Sequence, residues 1–189
     1  MAKDLLLIID MQNIYTKGAD WACLDTEGAA DRLNQIISAY EAMGSENTVL
    51  FTRYLASTDP VGRWKDYNVQ YAAINANDWG NEMLPQFASA LEKYPLYTKS
   101  VYSSLAIPEV LAACKKADRV VVGGVVAECC VIATVWALID AGIPVVYLAD
   151  GVSGFDQAKE DATTLTLSGL CPLHAEMMTV SEYLEGLHG

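Results

Sequence analysis

The chain alternates between continuous apolar runs and stretches in which apolar residues recur every three or four positions. Residues 4–10, DLLLIID, are such a run closed by an aspartate, the pattern of a strand buried on both faces. Residues 47–54 (NTVLFTRY), 119–124 (RVVVGG), 144–150 (PVVYLAD) and 175–180 (AEMMTV) predict further strands, and a short strand-like run leads into Lys99. Between them, residues 27–44 carry helical spacing and end on Gly44, suited to the left-handed position that closes a helix. Pro108 opens a second helix, a third runs from about Cys129 to Gly142 with Pro144 just beyond, and residues 155–170 and 181–189 supply two more. Residues 56–87, rich in Asn, Asp, Trp and Tyr, are the one long irregular insertion, and a loop of that length is usually functional or mobile.

This succession predicts an α/β fold: a three-layer α/β/α sandwich around a mostly parallel, Rossmann-like sheet, formed by the 189 residues as a single domain. Ligands in such sheets bind beyond the carboxyl ends of the strands. Asp10, the Arg53 region and the turn at 123–130 all fall at such ends.

Charge narrows the partners. The formal net charge is −12, and the longest basic cluster is the pair Lys115 and Lys116. Nucleic acid and anionic membrane surfaces need a basic patch to neutralise phosphate, so neither is an expected partner. The apolar run at the N-terminus is too short for a signal peptide and no stretch has the length of a membrane span, which points to a cytoplasmic protein. Five cysteines without a C-x-x-C pair read as reduced thiols rather than a disulfide framework or zinc ribbon. With only His174 and His188 available, a histidine-rich metal centre is not expected. The paired glycines of GGVVAE lack the third glycine of a dinucleotide fingerprint, so neither a metal nor a cofactor is called for.

Three positions carry candidate chemistry. Cys129 and Cys130 sit where a helix begins, and unpaired N–H groups at that end would lower a thiol pKa toward neutrality. Adjacent helical residues point about 100° apart, so one of the two would face the crevice, and spacing alone leaves open which. Asp10 closes an apolar strand and needs a partner or solvent; Gln12 and Asn13 follow it as hydrogen-bonding groups. Lys99 lies at the end of its own short run.

In order and context, Asp10 in IIDMQN, Lys99 in TKSVYS and Cys130 in GGVVAECCV resemble the Asp–Lys–Cys set of the isochorismatase-like cysteine hydrolases, which include nicotinamidases and N-carbamoylsarcosine amidohydrolase. The resemblance runs from Asp4 to the last strand and makes Cys130 the nucleophile, with Cys129 at a variable position and given over to packing. It implies that Asp10 accepts the thiol proton and Lys99 favours both anions. It also implies an oxyanion site made by the backbone N–H groups of Val126 and Cys130, with a cis peptide between Val125 and Val126. The implied reaction is metal-independent hydrolysis of a C–N bond in a small amide or ureido compound through a thioester. Ether hydrolysis through Asp10 with Cys130 idle, and a non-catalytic small-molecule-binding module of the same fold, are the alternatives.

Departures sharpen the expectation. Where nicotinamidases carry metal-binding histidines, this chain has Arg53 and Tyr54, and the family's Thr or Ser three positions before the cysteine is Ala127. Specificity is therefore assigned to loops: Gln12, Arg53, Trp79 and Tyr102 are the substrate-binding candidates, with Trp21, Trp64 and Tyr67 as further aromatic walls and Arg53 available for a carboxylate. His174 would make a Cys–His pair only if the fold brought it to the turn. The helix at 130–141 is apolar almost all round, which predicts that its outer face meets another copy in a homo-oligomer.

Overall fold

A computed structural model describes residues 3–44 and 46–187 of the chain. Six strands form one parallel sheet: β1 (Asp4–Ile9), β2 (Thr48–Tyr54), β3 (Leu96–Lys99), β4 (Arg119–Val125), β5 (Val145–Ser153) and β6 (Ala175–Met178), in the spatial order β3-β2-β1-β4-β5-β6. The order reverses direction at β1, which places the carboxyl ends of β1, β2, β3 and β4 side by side at the switch point where such sheets take ligands.

Alternation along β1 shows how the layers arise. Leu6 and Ile8 point to one face, where they pack with Leu33, Ile36 and Tyr40 of α1 (Thr26–Met43) and with Val180 and Tyr183 of α9 (Val180–Leu187). Leu5, Leu7 and Ile9 point to the other, against Val110 and Cys114 of α6 (Pro108–Cys114), Val135 and Leu138 of α7 (Ile132–Asp140) and Leu167 of α8 (Gln157–Ser168). A strand buried on both faces needs apolar residues at every position, and all six positions of β1 are buried. The α/β/α sandwich expected from the sequence is the fold observed.

Two segments differ from the expectation. The insertion at 56–87 contains the short helices α2 (Trp64–Gln70), α3 (Ala72–Asn75) and α4 (Asp78–Asn81), and α5 (Ala88–Leu91) follows it. These turns lack an apolar period of their own and are held by aromatic packing onto the sheet end and by Asn77, whose side chain accepts the Gly80 N–H at 2.9 Å. The helix expected from Cys129 begins instead as a π-helical turn, Ala127–Val131, before α7 continues as a regular helix. In that turn the Val126 carbonyl accepts from both Cys129 N–H (3.0 Å) and Val131 N–H (3.2 Å). On α7, Trp136 is 39% exposed and Ile132 and Ile139 are half-buried, so one face of this apolar helix is uncovered in the single chain. Among the described residues no helix is long and apolar enough to cross a membrane.

Candidate active site

The parallel order brings Asp10, Lys99 and the 127–131 turn to one edge. β1 ends at Ile9, paired with Thr52 on β2 and Gly124 on β4, and Lys99 ends β3 opposite Tyr54. Asp10 leaves the strand with a φ of 52°, in the left-handed region, and its N–H still donates to the Thr52 carbonyl at 2.9 Å. A non-glycine residue held there costs roughly 1 kcal/mol or more and is kept only when its surroundings require it. Gly124 shows the matching constraint on β4: its φ is 117°, and a Cβ would lie 2.1 Å from the Ile9 carbonyl oxygen. Only glycine lets β4 approach β1 this closely before the chain enters the turn bearing Cys130. The Val125-Val126 peptide bond, where the resemblance places a cis peptide, is cis.

Lys99 Nζ lies at the centre. It donates to Asp10 Oδ2 at 2.6 Å, to the Val101 carbonyl at 3.1 Å and to Cys130 Sγ at 3.2 Å, so its three N–H donors each meet an acceptor. Around this trio runs a buried polar chain. Thr52 Oγ1 donates to Asp10 Oδ1 at 3.3 Å and shares a hydrogen bond with Ser104 Oγ; the Ser104 N–H donates to Thr134 Oγ1, which donates to the Cys130 carbonyl at 2.7 Å.

The electrostatics correct one expectation. Burial pushes the Cys130 thiol well above its ordinary pKa, and the Asp10 carboxylate pushes the same way; Lys99 pulls it down without reversing the sum. The turn's N-terminal position therefore does not lower this thiol, because a cysteine only 5% exposed beside a carboxylate loses more from desolvation than helix-end N–H groups return. Burial also works against the Lys99 ammonium, but Asp10 and then Cys130 outweigh it and the lysine stays protonated. At rest the Lys99 ammonium thus lies between Asp10 and a thiol whose pKa burial holds up.

Cys130 forms the floor of a cavity of about 470 Å³ lined by Tyr15, Asp20, Trp21, Tyr54, Tyr67, Tyr71, Ile74, Tyr102, Val126, Cys129 and Phe155. A larger groove, about 660 Å³, opens at the opposite end of the sheet beside Lys3, Glu46, Glu109 and Lys116. Its described lining holds none of Asp10, Lys99 and Cys130, so the smaller cavity, which Cys130 lines, is the candidate site.

The candidates divide cleanly. Asp10, Lys99 and Cys130 meet, Val126 and Cys130 line the cavity wall, and Tyr102, Trp21 and Tyr67 line it too. Gln12, Arg53 and Trp79 stand outside the lining. Gln12 is a buried bracket: its amide donates to the Tyr54 and Asn81 carbonyls and its oxygen accepts the Tyr54 N–H at 2.8 Å. Arg53 Nε donates to Thr98 Oγ1 at 3.0 Å, away from the site, because successive side chains on β2 alternate and Thr52 and Tyr54 take the inward face. Trp79 is exposed on α4, and Trp64 packs behind Tyr54 and Tyr102. Cys129, assigned to packing, lines the cavity beside Cys130, as the wider π turn does not separate the two as an α-helix would. His174 is exposed just before β6, at the far end of the sheet, and makes no Cys–His pair; His188 lies outside the described residues. Tyr15, Tyr54 and Tyr71 escaped the sequence reading. Tyr15 follows the carboxyl end of β1 and Tyr54 ends β2, the positions a search restricted to strand ends would select, while Tyr71 stands four residues after Tyr67 with ring centroids 4.7 Å apart. Among the described residues no group of three or more His, Cys, Asp or Glu is placed to hold a metal ion.

A parallel α/β sandwich with a buried carboxylate, ammonium and thiol at its switch point has the architecture of the isochorismatase-like hydrolases. The chain belongs to that family: the isochorismatase domain model matches residues 4–182. Solved structures agree on the fold. An isochorismatase-like hydrolase from Alkaliphilus metalliredigens superposes with a TM-score of 0.79 at 20% identity, covering 98% of each chain. A cysteine hydrolase from Pseudomonas syringae pv. phaseolicola gives 0.82 at 17% identity over 98% of this chain and 92% of its own. The MAR1 ribonuclease from Caenorhabditis elegans gives 0.74 at 18% identity over 98% and 81%. No curated protein sequence matches the chain significantly.

Proposed function

We propose that the protein is a cysteine-dependent, metal-independent hydrolase that cleaves the C–N bond of a small amide or ureido compound through a thioester. The observation that carries this reading is Lys99 Nζ within hydrogen-bond reach of both Asp10 Oδ2 and Cys130 Sγ on the floor of a cavity.

Since the resting thiol is neutral, ionisation and attack belong to one step. As Cys130 Sγ bonds the carbonyl carbon, its proton passes to the Asp10 carboxylate, and Lys99 stabilises the charge as it moves between oxygen and sulfur. The backbone N–H groups of Val126 and Cys130 hold the oxyanion, so carbonyl polarisation requires no metal. The C–N bond then breaks while the Asp10 carboxylic acid returns the proton to the leaving nitrogen. Water, giving its proton to Asp10, opens the thioester; the acid product departs and Cys130 regains its hydrogen.

An ammonia-release screen over small amides and ureides, paired with intact-mass detection of the acyl-enzyme, tests this. Expected is a mass increase localised to Cys130. Turnover that survives Cys130→Ala but not Asp10→Ala would favour ether hydrolysis, and a chain that binds ligands without turnover would be a binding module. A ribonuclease reading, the activity named for the nematode protein, finds no support in a cavity without a lysine or arginine in its described lining. The same proposal takes the uncovered face of α7 around Trp136 as the contact with a second copy; a clean monomer in size-exclusion chromatography at micromolar concentration would remove it. Five free cysteines fit a reducing compartment such as the cytoplasm.

A further inference from the structure

Two features of the cavity bear on what it admits. Seven of its lining residues are aromatic, and Asp20 is the one charged side chain in the described lining. Asp20 stands exposed at the mouth and forms no ion pair with a described residue. The basic groups nearby are committed elsewhere: Lys99 is sealed beneath the floor among its three acceptors, Arg53 is turned onto Thr98, and Lys159, which lies over the Phe155 ring, is paired with Asp156 at 2.7 Å. An anion entering this space would lose its hydration without gaining a counter-ion, whereas a cation meets the negative faces of the rings.

The second feature is Tyr54. It is 6% exposed, its ring is packed between Trp21, Trp64 and Tyr67, and it lines the cavity, yet its hydroxyl is buried with no hydrogen-bond partner among the described residues. A buried polar atom left unpaired is costly, and Tyr54, which lines the cavity, gains a partner where an acceptor on a ligand reaches its hydroxyl. Burial pushes this phenol up to about 12 against the downward pull of Lys99, so at neutral pH it keeps its proton and can donate.

Resting on the reading of this cavity as the substrate site, we infer that it selects small amides or ureides whose remainder is uncharged or cationic, and that the Tyr54 hydroxyl orients them by donating to an acceptor on the ligand. Carboxylate-bearing amides are excluded. The probes are benzamide, benzamidinium and benzoate, equal in size and differing in charge, with affinity read from quenching of tryptophan fluorescence in the wild-type protein. Benzamide and benzamidinium are expected to bind and benzoate to bind at least about tenfold more weakly. Tyr54→Phe is expected to weaken benzamide about tenfold, the loss of one hydrogen bond, while the unliganded protein melts at the same or a higher temperature because the orphan hydroxyl is gone. A purely structural tyrosine would lower both. Benzoate binding as tightly as benzamide, an unchanged benzamide affinity in Tyr54→Phe, or no quenching by any of the three at millimolar concentration would overturn the inference. Because the readout is binding, this pattern stands or falls whether or not any amide is turned over.

Discussion

Strand β1 is bracketed by two aspartates, each buried and each paired with a base, and the two ends behave as opposites. At its start, Asp4 faces Arg119 across the β1–β4 ladder and accepts two guanidinium hydrogen bonds, at 3.0 and 2.7 Å. The Tyr183 hydroxyl adds a third at 2.7 Å, and is itself hydrogen-bonded to Tyr40, so sheet, α1 and α9 are tied together there. At the other end, Asp10 meets a lysine, a point charge that can also reach Cys130. A planar fork held in two places by Asp4, with Glu176 3.8 Å from its remaining nitrogen, leaves little for chemistry; a compact ammonium shared between oxygen and sulfur can follow a charge from one to the other. The same residue type at the two ends of one strand thus forms a clamp where the chain closes on itself and, in the proposed mechanism, the proton acceptor beneath the cavity.

Substitutions at the two ends should separate these roles. The largest effect is expected from Cys130→Ser or Asp10→Asn, either lowering kcat/KM by about 10³-fold or more, since removing one member of a nucleophile–base unit disables the whole. Steady-state ammonia release measures it, and residual activity within tenfold of wild type would contradict the assignment. Arg119→Ala should do the reverse. Leaving Asp4 buried without its guanidinium destabilises the fold by about 2 kcal/mol, below the full value for a buried pair because Arg119 is 30% exposed. Thermal melting should fall by about 4–8 °C while activity per folded molecule stays within about twofold. A loss of kcat without a loss of stability would erase the distinction between the ends.

The fold was legible because its elements announce themselves by period: the all-apolar β1, the Gly44 stop with its left-handed φ of 56°, and Pro108 at the first turn of α6. The trio was legible through the resemblance, since nothing local to Asp10 or Lys99 distinguishes either from an ordinary strand end. The cavity wall was less so. On β2 a shift of one position separates Arg53, pointing at Thr98, from Tyr54, pointing inward, and a charge attracts attention that strand alternation would have redirected. The helices of the insertion have no amphipathic period because rings from other segments hold them, a tertiary cause that composition does not record. The direction of the Cys130 pKa was not legible, because helix-end N–H groups can be inferred from sequence whereas depth of burial cannot.

The buried thiol supplies a test with opposite signs. Burial and Asp10 hold the Cys130 pKa up while Lys99 pulls it down. Asp10→Asn removes an upward push and leaves the ammonium to the sulfur alone, so the thiolate fraction near neutral pH should rise and iodoacetamide should modify Cys130 about tenfold faster, one pKa unit being tenfold in thiolate. Lys99→Ala removes the ammonium that pulls it down and should slow modification by a similar factor. Peptide mass spectrometry over a pH series separates Cys130 from Cys129, and rate changes of the same sign in both variants would refute the charge balance described here.

The smallest expected effect belongs to Thr52, which touches neither thiol nor cavity but donates to Asp10 Oδ1. At 3.3 Å this is a long bond, and it is one of two that fix the carboxylate, the other being the Lys99 contact at 2.6 Å. Replacing the hydroxyl by a methyl in Thr52→Val keeps the volume on β2 but lets the carboxylate rotate about its bond to Lys99. A hydrogen bond to a carboxylate contributes about 1.5–3 kcal/mol at normal length and a long one well below that, so kcat should drop roughly threefold with KM unchanged. Thr52→Ser, which restores the donor, should recover it. Should Thr52→Val match wild type, the orientation of the base must come from Lys99 alone, and the buried chain through Ser104 and Thr134 would serve only to anchor the turn that carries Cys130.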